Sequence, residues 1–87
     1  MKLKDGFVVR NISNVTYAVA VGKRSKEFTG MVKLSGIGEF LWNELQNEIT
    51  LEALVDKVVE NYEVDRETAE KDTAAFVKKL EEAKLFE

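Results

Sequence analysis

The spacing of apolar residues changes once along this 87-residue chain, at Ser35, and that change limits the folds it can adopt. Before Ser35, apolar side chains recur at every second position, which is the period of a half-buried β-strand. After Ser35, they recur every three or four positions, which is the period of an amphipathic helix. The sequence therefore predicts strands first and helices afterwards, an α+β arrangement.

Three strands are predicted before this change, after a polar lead-in over residues 1–6. Their ranges are 7–12, 15–22 and 27–34, separated by a turn at Ser13-Asn14 and a charged loop over 22–26. The bulkier face of the second strand is expected to meet the core; it carries Val15, Tyr17, Val19 and Val21. The third strand is expected to bury Phe28, Val32 and Leu34 and to leave Met31 on its outer face.

Three helices are predicted after the change, over 36–47, 51–62 and 66–83, with Ser35, Thr50 and Asp65 as their N-caps. Trp42 lies at the margin of the first helix's apolar stripe, where it would shield the edge of the core or contact a ligand. The sequence thus predicts a single domain over residues 1–87. It is a three-stranded antiparallel sheet followed by a three-helix bundle, which resembles a winged helix-turn-helix.

The composition excludes several classes of function. The chain has no cysteine and no histidine, so it lacks the usual ligands of zinc, haem and iron–sulfur clusters. It also lacks the commonest general base at neutral pH. We therefore expect no enzyme activity, no metal site and no cofactor.

Location and charge give two further expectations. The longest uncharged apolar run, residues 15–22, is far shorter than the roughly 20 residues that a spanning helix needs, and no signal peptide precedes it. A cytoplasmic protein is therefore predicted. The net charge of −3 argues against binding to nucleic acid.

Several segments follow one order that is typical of a known family. They are Gly6-Phe-Val-Val-Arg10, Phe28-Thr-Gly-Met-Val-Lys-Leu-Ser35, Gly38-Glu-Phe-Leu-Trp42, Leu54, Tyr62 with Val64-Asp65, and Asp72 with Phe76 and Leu80. From about Gly6 to Phe86 the chain resembles the PqqD-like family, small peptide chaperones of pyrroloquinoline quinone biosynthesis. The same domain, the RiPP recognition element, serves other ribosomally made, post-translationally modified peptides. At Ser35 the family often has Asn, and both residues can cap a helix.

The resemblance implies that the leader segment of a precursor peptide adds as an extra β-strand along the third strand. The leader's side chains would lie in a groove between that strand and the third helix. The domain would then present the peptide to a modifying enzyme, often a radical SAM protein. This mode of binding is β-augmentation, in which main-chain bonds give affinity and alternate side chains give specificity.

By location, the implied peptide-binding residues fall into two sets, and none of them is predicted to be catalytic. The strand set is Thr29, Gly30, Met31, Val32 and Lys33. The helix set is Lys71, Ala74, Ala75 and Lys78, within a wider span that includes Thr73, Val77 and Glu81. Each helix residue could equally belong to a solvated face.

Three alternatives stay open at this point. The protein could be a DNA-binding winged helix-turn-helix regulator whose third helix carries lysines, although acidic residues are interleaved among them. It could also be a structural subunit of an enzyme complex that binds no peptide. Finally, the open edge of the sheet could pair with a second copy of the chain to give a homodimer.

Overall fold

The fold is seen in a computed structural model, which describes residues 1–28 and 30–87. The elements in chain order are β1 (Phe7–Ile12), β2 (Val15–Ala20), α1 (Arg24–Glu27), β3 (Met31–Lys33), α2 (Gly38–Glu44), α3 (Leu51–Asn61) and α4 (Arg66–Glu82). The three strands form one antiparallel sheet in the order β1-β2-β3. The fold is thus α+β, as expected.

The chain divides into two compact units. The sheet unit comprises residues Lys4–Asn43, and the helical unit comprises Met1–Leu3 together with Glu44–Glu87. The single domain predicted from the sequence remains a prediction.

The connection between β2 and β3 is the largest departure from the predicted elements. Residues 24–27 form the short helix α1, so the described part of the chain has four helices instead of three, and β3 is shorter than the predicted 27–34. Arg24 holds this helix in place, because its Nε donates to the Asp5 carbonyl at 2.9 Å and its Nη1 donates to Glu27 Oε2 at 2.8 Å. At Gly6, where φ is +88°, a Cβ would lie 2.7 Å from the Arg24 Cβ. The close approach of this arginine therefore requires glycine at position 6.

The buried face of β2 is the opposite of the predicted one. Ala18 and Ala20 are buried, whereas Val15, Tyr17 and Val19 are half-buried and Val21 is exposed. The register explains this outcome, since Ala18 lies directly opposite Val32, and opposite residues in an antiparallel pair share a face. The prediction for the third strand is confirmed for Val32 and Leu34, which are buried, and for Met31, which is exposed. Phe28, by contrast, lies before β3 and is half-buried.

Aromatic rings cover part of this buried face. Phe7 lies opposite Ala20, and its ring meets the edges of Phe28 and Trp42, with centroids 5.8 and 5.6 Å away. Trp42 is only 2% exposed, so it is a core residue, and the ligand-contact alternative gains no support.

The helical unit has two side-chain caps that the sequence predicts. Thr50 Oγ1 accepts from the Ala53 amide at 3.1 Å, and Asp65 Oδ1 accepts from the Thr68 amide at 2.7 Å. At the start of α2, by contrast, Ser35 takes part through its carbonyl, which accepts from the Gly38 amide.

The N-terminal segment is more than a polar lead-in. Leu3 is 2% exposed, its amide donates to the Leu45 carbonyl at 2.9 Å, and it forms a β-bridge with Phe86. Leu85, next to that bridge, is also buried. Leu3 therefore belongs to the core of the helical unit.

Candidate peptide-binding site

β3 is an edge strand, because it pairs with β2 on one side and lies last in the sheet of the described residues. The Leu34 amide donates to the Thr16 carbonyl at 2.8 Å. The N–H and C=O groups of Leu34, and those of Val32 two residues before it, therefore point towards β2. In an antiparallel ladder the intervening residues point the other way. Met31 and Lys33 therefore direct their N–H and C=O groups to the open edge.

The side chains of β3 alternate between exposed and buried positions. Met31 is 54% exposed and Lys33 is exposed, whereas Val32 between them is 4% exposed. Val32 thus anchors the strand, and Met31 and Lys33 present both their backbone and their side chains. Lys33 also lines a cavity of about 290 Å³ with Leu34, Ser35, Gly36 and residues 14–16.

The other two members of the strand set lie before β3. Gly30 is exposed and lies in a bend, so it precedes the paired residues. Thr29 lies outside the residues that the structure describes. Met31 and Lys33 are therefore the two residues of the observed strand whose backbone groups point to the edge.

The four helix residues are all exposed on α4. Lys71, Ala75 and Lys78 follow at spacings of four and three residues, with Ala74 beside them, so they form one continuous strip of the helix surface. Two residues of the wider span are buried, since Thr73 and Val77 are 0% and 5% exposed.

Two cavities lie along α4 within the helical unit. One of about 570 Å³ is lined by Leu51, Glu52, Val55, Arg66, Glu70 and Ala74. The other, of about 550 Å³, is lined by Met1, Leu51, Val77, Glu81, Lys84 and Phe86. Only Ala74 among the four predicted helix residues lines either of them.

The cation at the start of α4 is already engaged. Arg66 Nη2 donates to Asp56 Oδ1 at 2.7 Å, and its Nε lies 3.3 Å from Glu70 Oε1. The hydrogen bond to Asp56, with the attraction of both carboxylates, raises the pKa of Arg66. This arginine therefore ties α4 to α3 and is a weak candidate for contacting a phosphate or a leader carboxylate.

Charge is distributed unequally between the two units. The sheet unit contains six Lys or Arg and three Asp or Glu, a net charge of +3. The helical unit contains seven basic and thirteen acidic residues, a net charge of −6. The unit that contains β3 is therefore net basic, whereas the unit that contains α4 is net acidic.

Two features of the described residues bear on other functions. Within 1–28 and 30–87, no group of three or more acidic side chains is placed to hold a metal ion. None of the helices in these ranges has the length and apolar character needed to span a bilayer.

Comparison with known proteins identifies the family. The family model of coenzyme PQQ synthesis protein D (PqqD) matches residues 18–85. The chain belongs to the PqqD family. Among curated proteins, none matches its sequence.

Two solved structures resemble this PqqD family member. TbiB1, solved in complex with the TbiA(beta) leader peptide, is 26% identical, with a TM-score of 0.73 over 100% of this chain and 95% of that chain. Lasso peptide synthetase B1, complexed with the leader peptide, is 21% identical, with a TM-score of 0.66 over 93% of this chain and 89% of that chain. The second likeness supports the fold alone.

Sequence reasoning missed the part that β1 and β2 play beside the edge. Arg10 and Tyr17 lie on the same sheet face as Lys33, but Tyr17 is predicted to be buried. Finding them required the register of β2 against β3, in which Tyr17 lies opposite Lys33.

Proposed function

We propose that this protein binds the leader segment of a ribosomally synthesised precursor peptide and presents the peptide to a modifying enzyme. The leader would add as a fourth strand at the open edge of β3. The observation that carries this proposal is the outward direction of the Met31 and Lys33 backbone groups on an edge strand held by buried Val32. Main-chain pairing at such an edge is the usual basis of β-augmentation.

The comparisons support the same assignment. The chain belongs to the PqqD family, and TbiB1, which shares its fold over the full length, was solved with a leader peptide bound. We propose that this chain has no catalytic activity and needs no cofactor, and that the recipient enzyme is a radical SAM protein, as the family resemblance implies. We also propose that the protein is located in the cytoplasm and that its helices have a winged helix-turn-helix arrangement.

The second part of the proposed site is the strip Lys71, Ala74, Ala75 and Lys78 on α4. All four are exposed, and the two lysines lie on one side of the helix, where they would attract acidic leader residues. Their joint action with β3 in one groove is proposed from the resemblance. It needs a test separate from that of the strand edge.

The DNA-binding alternative is not favoured by the charges. Four basic residues of α4 are interleaved with five acidic ones, and the helical unit as a whole carries a net charge of −6. A recognition helix of this composition would repel phosphates.

The deciding experiment is an amide chemical-shift titration of the ¹⁵N-labelled protein. The ligands are synthetic leader peptides of the precursor genes encoded beside it and, separately, duplex DNA at low salt. We expect the peptides to shift the amides of residues 30–34 and 71–78. Shifts with DNA alone would instead identify a regulator, and no shift with either ligand would favour a structural subunit.

A homodimer through the same edge is the remaining option, since an edge that accepts a leader can accept a second copy. We expect a leader to compete with such pairing. Size-exclusion chromatography with light scattering should therefore show a monomer when the leader is bound, and a dimer that persists would place the leader elsewhere.

A further inference from the structure

The outer face of the sheet contains two rows of side chains that run across all three strands. In the antiparallel register, Val8 lies opposite Val19, which lies opposite Met31. Two residues along, a second row joins Arg10, Tyr17 and Lys33. Directly opposite residues share a face and have neighbouring Cβ atoms, so each row is a continuous strip of surface.

The two rows differ in chemistry, and each ends at the open edge of β3. The first row is entirely apolar and ends on Met31, which is 54% exposed. The second has a cation at each end, Arg10 and Lys33, with a phenol ring between them. Both cations are exposed, and the sheet unit that carries them has a net charge of +3.

A strand added at this edge would continue both rows. The backbone groups of Met31 and Lys33 point outward, so in an antiparallel addition the two added residues opposite them would form hydrogen-bonded pairs. Their side chains would lie on the outer face, beside the Met31 thioether and the Lys33 ammonium. Those two added residues are separated by one position, because side chains on one face of a strand are two residues apart.

We propose that the outer face of β3 selects an extended peptide with one acidic and one apolar side chain, two residues apart. The acidic residue pairs with Lys33 and the apolar residue packs on Met31, whose flexible thioether adapts to different apolar groups. An antiparallel leader reads acidic-x-apolar, and a parallel leader reads apolar-x-acidic. This inference rests on the proposed function and deepens it, because it assigns peptide specificity to the face away from buried Val32.

The test uses fluorescent twelve-residue peptides with a host of Ser and Thr, and anisotropy as the measure of binding. One position carries Glu or Lys, and the position two residues away carries Leu or Ser. Each combination is made twice, once with the charged position first and once with it second. The wild-type protein should bind the Glu and Leu peptide about two- to fivefold more tightly than its Lys and Leu counterpart, as expected of a single cross-strand pair.

Variants of the protein identify the groups that make the selection. Lys33→Glu should reverse the preference from Glu to Lys. Met31→Thr should abolish the preference for Leu while the preference for Glu persists. Lys23→Glu is the matched control, because it makes the same charge change in the sheet unit at an exposed residue before α1, and it should keep the wild-type preference.

Two results would overturn the inference in distinguishable ways. Peptides that shift the amides of residues 31–33 without any preference for Glu, or with a preference unaltered by Lys33→Glu, would overturn the specificity and leave leader binding intact. If neither the host peptides nor the leaders of neighbouring precursor genes shift those amides, both this inference and the proposed function are wrong.

Discussion

Ala18 lies directly opposite Val32 in the β2–β3 pair, and the two side chains are 0% and 4% exposed. This pair determines which face of the sheet is buried, and therefore which side chains of β3 remain at the surface. Phe7, whose ring contacts Trp42, lies opposite Ala20 on the same side of the sheet as Ala18.

Enlarging Ala18 should therefore destabilise the protein. We expect Ala18→Leu to lower the free energy of unfolding by about 1–3 kcal/mol, because extra methyl groups in a filled core force neighbours out of their rotamers. Urea denaturation followed by circular dichroism measures this change. Val21→Thr, at a residue that is 40% exposed, should change stability by less than about 0.5 kcal/mol. Equal effects of the two substitutions would contradict the observed register.

Proline at Met31 should separate binding from folding. Its amide points to the open edge, so the β2–β3 ladder does not need it, whereas an added strand does. We expect Met31→Pro to weaken leader binding about tenfold or more, while the circular dichroism spectrum stays that of the wild type. Met31→Leu keeps the amide donor and should bind normally. Unaltered binding by the proline variant would show that the leader does not pair with this edge.

Charge reversal on α4 tests the helix part of the proposed site. We expect Lys71→Glu together with Lys78→Glu to weaken the binding of an acidic leader, with a loss that shrinks as salt is added. Isothermal titration calorimetry at two salt concentrations measures both effects. Lys57→Glu, on α3 and outside the predicted set, is the control for net charge. This control is compared with Lys71→Glu and Lys78→Glu made singly. If it weakens binding as much as either of them, the attraction is general and not local to this strip.

The hydroxyl of Thr73 should cost stability. Thr73 is fully buried, and its Oγ1 makes no hydrogen bond to the described residues. A buried hydroxyl without a partner is unfavourable, so the nearly isosteric Thr73→Val should raise the free energy of unfolding by about 1 kcal/mol. Thr73→Ser, which keeps the hydroxyl and loses the methyl group, should lower it. Chemical denaturation of both variants measures these changes in the free energy of unfolding. A destabilised valine variant would show that the Thr73 hydroxyl makes a hydrogen bond.

Asp65 should make α4 sensitive to acid. The amide of Thr68 donates to its carboxylate, and this bond lowers the pKa of Asp65 in the folded protein. A depressed pKa stabilises the folded state above the unfolded value of about 3.9, and this contribution is lost as the pH falls towards the folded pKa. Asp65→Asn keeps a capping oxygen but does not titrate. The difference in urea midpoint between the wild type and Asp65→Asn should therefore shrink below about pH 4, and a difference independent of pH would contradict this role.

Much of the fold follows from the sequence because local patterns specify it. The alternation in 31–34 correctly predicted the buried and exposed sides of β3, and the spacing in 51–62 predicted α3. The caps Thr50 and Asp65 were identifiable because their side chains bond to amides three residues away. The candidate edge residues Met31 and Lys33 followed from the same local signals and from the family resemblance.

The faces of β2 did not follow from the sequence, because a strand face depends on register. A shift of one residue between β2 and β3 would bury Tyr17 and Val19, and the predicted hairpin loop allowed that alternative. The connection between the two strands contains α1, whose four residues have no apolar period of their own. Their helix is held by Arg24, which bonds to Asp5 nineteen residues earlier.

The sequence by itself determined the order of strands and helices, the capped ends of α3 and α4, and the exposed side of β3. Each of these depends on residues a few positions apart, so the physical cause lies within the segment. The tertiary structure decided that Ala18 is buried, that Leu3 belongs to the core, and that Arg10 and Tyr17 align with Lys33. These outcomes depend on contacts between distant residues, which close packing fixes and no local period encodes.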